Sequence, residues 1–284
     1  KHPEPSHVTV AFDGSRWSDE AIRWAAQEAG LRGLPLRIVN AWLPLPMPGG
    51  RAVSLAESRA LLDAAEVRAH VYGNGIAVSV VSAADTVGAT LAAESESCAM
   101  LVLGSRGRGG FRSLLLGSTS LTAASVARCP VVVVRDPAPT VDPGPASDVV
   151  LGLEPRQPAD ELLDFAFTAA AARSGRRLHG ITAWTVAESA RDGGPILDRD
   201  AIETAVTRAA DEALAGWRTK YPEVEVRRTV VHASPAGALV EASEWAALTV
   251  VGRRHAGTPL GLRLGTVAHA VLLHAHGSVA VVPY

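Results

Sequence analysis

The stretch Leu36-Arg37-Ile38-Val39-Asn40-Ala41-Trp42 returns in the second half of the chain as Leu178-His179-Gly180-Ile181-Thr182-Ala183-Trp184. Both are short apolar runs that end in Ala-Trp, an ending hard to ascribe to chance. A repeat of this period decides the fold before any single element does, because each copy must be one folding unit. Working outward, Val8-Thr9-Val10-Ala11-Phe12-Asp13 precedes the first copy and Val149-Val150-Leu151-Gly152-Leu153-Glu154 precedes the second. Each is an apolar run ending in an acid. Downstream, Leu101-Val102-Leu103-Gly104 matches Thr249-Val250-Val251-Gly252. Cys129-Pro130-Val131-Val132-Val133-Val134 matches Gly277-Ser278-Val279-Ala280-Val281-Val282. The chain reads as two copies of one domain, residues 1–140 and 141–284. Its 284 residues suit two domains, each large enough to bury a core. Between them, Pro137, Pro139, Pro143, Gly144 and Pro145 make 135–147 a stiff, extended linker.

Within each copy, short β-branched runs alternate with longer helical patterns, the mark of βαβ units and a parallel sheet. The strands are apolar at consecutive positions, as expected when helices cover both faces. In the first copy the pattern predicts strands near 8–13, 36–42, 76–82, 100–104 and 131–134, and helices near 18–31, 54–72, 86–97 and 118–127. The first helix is expected to be capped by Ser18, with Asp19 and Glu20 at its positive end. Ala21, Ile22, Ala25 and Ala29 form its buried stripe, and Gly33 stops it. Leu162, Phe165, Ala166 and Ala169 repeat that stripe in the second copy, with Gly175 as the stop. The fold class is α/β: two tandem doubly wound domains, each a five-stranded parallel sheet with helices on both faces.

Hydrophobic residues are 48% and charged residues 20% of the chain, and the formal net charge is −2. That balance gives no basic surface for nucleic acid or for a membrane. No apolar run approaches the roughly 18 residues that a span requires, and the N-terminus lacks a signal-peptide pattern. The two cysteines, Cys98 and Cys129, lie in apolar stretches and read as small core residues, neither a disulfide framework nor a metal pair. A cytoplasmic, reducing setting is expected.

The richest motif runs from Gly104 to Ser120. It follows an apolar strand and opens a helix at Ser118. Gly104, Gly107 and Gly117 are expected to supply turns of positive φ and close backbone approach to a ligand. The amides of Ser118, Thr119 and Ser120 make an anion site at the helix start, and their hydroxyls add donors. Arg106, Arg108 and Arg112 bring positive charge. No Gly-Lys-Ser/Thr follows the last glycine, so this is not a Walker A loop. In a doubly wound sheet, Asp13, Ala41 and Gly104 gather at the carboxyl ends of the strands, where ligands sit. Asp13 can accept from ribose hydroxyls or act only as a turn residue before Gly14. Ala41 either leaves room for an adenine or is simply core.

The spacing Gly104-x2-Gly107-x9-Gly117-Ser118, with Asp13 on the first strand, resembles the ATP-binding signature of the universal stress protein family, in its tandem two-domain, actinobacterial form. The resemblance covers nearly the whole chain. It implies the adenine nucleotide α-hydrolase-like sheet, with the two domains pairing through their last strands, Val131–Val134 and Val279–Val282. That pairing can form within one chain or in a homodimer. It also implies ATP as ligand: Asp13, Gly14 and Ala41 at the adenosine, with Gly104, Arg106, Gly107, Gly117, Ser118, Thr119 and Ser120 at ribose and phosphates. Mg2+ would ride on the phosphates without a protein cage. The second copy keeps the spacing but departs in detail. Glu154-Pro155 replaces Asp13-Gly14 and His255 replaces the middle glycine, while Ala183, Gly252, Gly265 and Thr266 are kept. That second site is expected to be weakened or lost.

His269 and His274 lie on different sides of a helix, so no zinc site is expected. Trp17, Trp24, Trp42, Trp184, Trp217 and Trp245 read as packing residues. The proline-rich stretch 43–50 reads as a connector or a lid. No catalytic set is evident. The leading reading is an ATP-binding regulator of stress or growth; the alternatives are a slow ATPase at the same site and an interaction scaffold with vestigial sites.

Overall fold

The computed structural model describes residues 7–43, 53–107, 115–135, 148–185, 198–254 and 264–284. The proline-rich stretch, most of the linker, Arg108, Arg112 and His255 lie outside these residues. The first half runs β1 (Val8–Ala11), α1 (Arg16–Arg32), β2 (Leu36–Ala41), α2 (Leu55–Tyr72), β3 (Val78–Ala83), α3 (Val87–Glu94), β4 (Met100–Gly104), α4 (Ser118–Val126) and β5 (Val131–Val134). The second half repeats the order with β6 (Asp148–Gly152), α5 (Asp160–Ala171), β7 (Arg177–Trp184), α6 (Arg199–Lys220), β8 (Glu225–His232), α7 (Pro235–Ala242), β9 (Leu248–Arg253), α8 (Thr266–His274) and β10 (Val279–Pro283).

The strands form one sheet in the order β3-β2-β1-β4-β5-β10-β9-β6-β7-β8. Every pairing inside a half is parallel; the join between halves, β5 with β10, is antiparallel and sets Val132 opposite Ala280. Alternation along β5 shows why consecutive valines are needed. Val132 and Val134 enter the core under α1, α2, α5 and α6, whereas Val131 and Val133 enter the core under α3, α4, α7 and α8. Two apolar faces on one strand require helices on both sides. A buried cluster also crosses between the halves on the first of these faces. Glu28 of α1 meets Arg32 at 2.8 Å and Arg173, just after α5, at 3.0 Å, and the Arg32 guanidinium lies over Phe165. No helix among the described residues is long and apolar enough to cross a membrane.

The helix stripes fall as predicted: Ala21, Ile22, Ala25 and Ala29 are fully buried, and so are Ala166 and Ala169. Gly33 ends α1 in the left-handed conformation, φ 63°. The cap differs from expectation. Ser15, not Ser18, caps α1, its hydroxyl accepting the Ser18 amide at 3.2 Å. The helix starts one turn early because β1 stops at Ala11 and Gly14, at φ 79°, turns the chain sharply. Gly175 lies beyond the end of α5, which closes at Ala172. Both cysteines are buried core residues with free thiols, as expected, and their sulfurs stand 3.4 Å apart.

Candidate functional site

A cavity of about 530 Å3 opens at the carboxyl ends of β1, β2 and β4. Its size suits a small-molecule ligand. Asp13, Ala41, Gly104, Arg106, Gly107, Gly117, Ser118, Thr119 and Ser120 all line it. Residues far apart in sequence therefore meet there, as the strand order predicts. Gly14 does not line it; a Cβ there would sit 2.7 Å from Leu61, so its work is the turn.

The glycines act by lack of volume and not by backbone angle. Among the described residues, positive φ at glycine occurs at Gly14, Gly33 and Gly75, so Gly104, Gly107 and Gly117 do not supply the left-handed turns expected of them. A Cβ at Gly104 would lie 2.5 Å from the carbonyl oxygen of Trp17, so this glycine lets the start of α1 rest on the end of β4. A Cβ at Gly107 would lie 2.9 Å from Asp13 Oδ2, which places this glycine against the carboxylate. Gly117 has room, with Ser105 O at 3.5 Å, and serves as the N-cap of α4.

Among the described helices, α4, α5 and α8 lack a side-chain cap. In α1, α2, α3, α6 and α7 a Ser, Thr or Asp side chain accepts a first-turn amide. In α4 the cap is glycine with no side-chain hydrogen bond, and the first helical bond is Leu121 N–H to Gly117 O. The amides of Ser118, Thr119 and Ser120 precede that bond and point with the helix dipole toward the cavity, which suits an anion. The hydroxyl of Ser120 is not the donor expected, since it gives its proton to the buried Gly104 carbonyl at 2.8 Å. Asp13 likewise does structural work: its Oδ1 accepts the Ser15 amide at 3.0 Å.

Two polar groups at the cavity are buried without a hydrogen-bond partner among the described residues: Thr90 Oγ1 and Arg106 Nε. Buried polar groups are normally satisfied, so each has hydrogen-bonding capacity open to a ligand atom. The Arg106 guanidinium also stacks over Trp17, 4.9 Å from the ring centroid, and Arg16 covers the same ring at 3.9 Å. Trp17 therefore supports two arginines, of which Arg106 lines the cavity. Burial, and then the charge of Arg106, push the pKa of Arg135 down.

Sequence reasoning missed Thr90, on the cavity wall from α3, and Asn40. The Asn40 amide donates to Phe12 O at 2.7 Å and accepts from Ser58 at 2.8 Å. Ser58 meets Ser82 at 2.7 Å, and Trp42 donates to Ser82 at 2.9 Å. This chain of bonds fixes the end of β1 beside Asp13. A buried Asn within an apolar strand was its only sequence signal.

A second cavity, about 430 Å3, occupies the equivalent place in the other half and is lined by Glu154, Ala183, Gly252, Gly265 and Thr266. Gly265 caps α8, again without a side-chain bond. Val267 and Ala268 stand where Thr119 and Ser120 stand in the first half, and Arg254 donates to Gln157 at 2.6 Å. Thr182 replaces Asn40 and still donates to the equivalent carbonyl, Leu153 O, at 3.2 Å.

The model of the universal stress protein family matches residues 5–135 and 147–283. A universal stress protein of Mycobacterium tuberculosis is 36% identical over 292 residues, covering 98% of each chain. Another, of Mycolicibacterium smegmatis, is 33% identical over 290 residues, covering 97% of this chain and 96% of its own. The crystal structure of a universal stress protein from Archaeoglobus fulgidus shares the fold, with a TM-score of 0.71 at 19% identity and 98% of both chains covered.

Proposed function

The chain belongs to the universal stress protein family, and on that premise we propose that its first half binds ATP and works as a nucleotide-responsive regulator of stress or growth. The observation that carries the reading is the convergence of Thr90 Oγ1, Arg106 Nε and the uncapped start of α4 on one cavity. Ala41, Val39 and Phe12 offer apolar walls for an adenine, with Asp13 toward the ribose. Arg106, Gly107, Gly117 and the amides of Ser118 to Ser120 take the phosphates, and Mg2+ enters on the phosphates. Asp13 supplies the one carboxylate among the described residues lining the cavity, and it already holds a backbone amide. That favours binding over hydrolysis, because phosphoryl transfer to water needs a group free to orient the nucleophile. The second half, with fewer hydroxyls, is the weaker site and serves mainly as the partner domain. Since β5 and β10 already pair within the chain, a homodimer would use another surface. The setting proposed is the cytoplasm, without nucleic acid or membrane.

The test is nucleotide release from purified protein by denaturation, followed by identification by chromatography and mass spectrometry, beside Gly117→Asp. A Cβ at Gly117 meets only ordinary contacts, so this variant folds while placing a carboxylate at the phosphate end. About one equivalent of ATP, lost in the variant, is expected. Absence of nucleotide, followed by no binding of added ATP and Mg2+, overturns the proposal. Steady phosphate release lost in the variant would make the site an ATPase.

A further inference from the structure

We propose that Cys98 and Cys129 are an oxidation site: a buried dithiol that closes to a disulfide and ties together the base of the first half's phosphate loop. Cys98 sits just before β4 and Cys129 just before β5, neighbouring parallel strands whose starts are joined by Leu101 N–H to Pro130 O at 2.9 Å. Both side chains are buried and the sulfurs are 3.4 Å apart. A disulfide spans about 2.05 Å, so closure from 3.4 Å needs a local approach of about 1.4 Å. The two loops are also tied beside the sulfurs, where the Arg128 amide donates to Ser95 Oγ at 3.2 Å.

The second half shows the same place without sulfur. There the His276 amide donates to Ser243 Oγ at 2.9 Å, and Ala246 and Gly277 stand where the cysteines would be. The tie between the loops therefore belongs to the fold, and the sulfur pair is an addition peculiar to the first half. The cysteines are 31 positions apart, and the segment they would close contains β4, Gly104, Arg106, Gly107, Gly117 to Ser120 and α4. Those are the loop glycines and the helix start that the candidate site offers to the phosphates. Only the naming of this segment rests on the nucleotide reading; the thiol chemistry does not.

The oxidant is a small hydroperoxide, since burial excludes a bulky disulfide. The S–H···S hydrogen bond from Cys129 lowers the Cys98 pKa, which favours its sulfur as the nucleophile. That same bond, and burial, raise Cys129. The Cys98 sulfur attacks one peroxide oxygen; the O–O bond breaks, and the thiol proton leaves with the other oxygen as water. The sulfur of Cys129 then displaces the hydroxyl of the Cys98 sulfenic acid. The S–O bond breaks, the S–S bond forms, and the Cys129 proton leaves in a second water. Two thiols are oxidised and one hydrogen peroxide is reduced to two waters.

The experiment treats the full chain, natively folded, with hydrogen peroxide, then alkylates free thiols under denaturing conditions. Intact mass and a non-reducing peptide map are read. Expected are a loss of two hydrogens, two cysteines closed to alkylation and one Cys98–Cys129 cross-linked peptide, all reversed by dithiothreitol. The unfolding midpoint should rise by roughly 5 °C on closure. Cys98→Ala, the residue of the second half, should fold and give no cross-link and no rise. Two alkylatable thiols after peroxide, oxygen gain without a cross-link, or disulfide-linked chain dimers would each overturn the proposal. ATP titration of the reduced protein tests the nucleotide reading separately, and its failure leaves the disulfide result standing.

Discussion

The two cavities sit at equivalent places in the two halves of the sheet, yet they present different chemistry. Around the first, a polar chain runs from Phe12 O through Asn40, Ser58 and Ser82 to Trp42. In the second, Thr182 keeps only the bond to Leu153 O. Val230 stands in register with Thr182 where Ser82 stands with Asn40, and Trp184 Nε1 is buried without a hydrogen-bond partner among the described residues. At the phosphate end, Thr90, Thr119 and Ser120 give way to Ala238, Val267 and Ala268. The frame has been kept while polar groups that would meet a ligand have gone. This is the pattern expected when one copy of a duplicated domain carries the ligand and the other supplies an apolar face and a partner strand.

The sharpest way to break the comparison is at the matched glycines Gly104 and Gly252. A Cβ at Gly104 strikes backbone, the Trp17 carbonyl at 2.5 Å, whereas one at Gly252 strikes the rim of the Tyr284 ring at 2.4 Å. A ring can swing aside and a helix start cannot. Gly104→Ala should therefore cost about 3 kcal/mol and Gly252→Ala about 1 kcal/mol, read by urea denaturation. Equal losses would mean that α1 does not rest on β4 as described.

Next in size is the polar chain. Asn40→Ala strands the Phe12 carbonyl and removes one of the two partners of Ser58, and should cost about 2 kcal/mol, against about 1 kcal/mol for Thr182→Ala. Asn40→Thr, which copies the second half, should recover part of the loss. Smaller again is Thr90→Ala, which installs the residue found at Ala238. It removes one hydroxyl that the proposed nucleotide would meet and should weaken ATP roughly fivefold by calorimetry, with the unfolding midpoint unmoved. A shift in midpoint without a change in affinity would make Thr90 structural.

The smallest effect is common to both halves. Burial lowers the pKa of His7 in the first half and of His179 in the second. A depressed folded pKa means that the unfolded chain takes up the proton first on acidification. The stability is therefore full above the ordinary histidine value of 6.5 and is lost as pH falls through and below it. Denaturation midpoints between pH 7 and 5 should fall, and His7→Gln should remove the first half's share of that slope.

How much of this was legible in the sequence follows from the range of the forces involved. The repeat, the strand and helix periods and the apolar stripes are written locally, because a side chain's face is fixed by its place in a period of 2 or 3.6. The gathering of Asp13, Ala41 and Gly104 followed from the strand order of a doubly wound sheet. The cap of α1 was misplaced because the stop of β1 at Ala11 and the turn at Gly14 moved the helix start. The glycines of the loop were found, but for a reason the structure does not support. Their freedom in φ is a property of the residue, whereas the press of Trp17 on Gly104 and of Asp13 on Gly107 is a property of packing.

By itself, then, the sequence determined two α/β copies, their helical stripes and a glycine loop opening a helix, because those depend on neighbours within a turn or a strand. Only the tertiary structure decided the rest. It used the Ser120 hydroxyl to hold a carbonyl, left Thr90 Oγ1 and Arg106 Nε without a hydrogen-bond partner among the described residues and set β5 against β10. It also brought Cys98 to within 3.4 Å of Cys129. Each of these is a contact between residues distant in the chain, and hydrogen bonds, burial and sulfur chemistry act only over the few ångströms that folding closes.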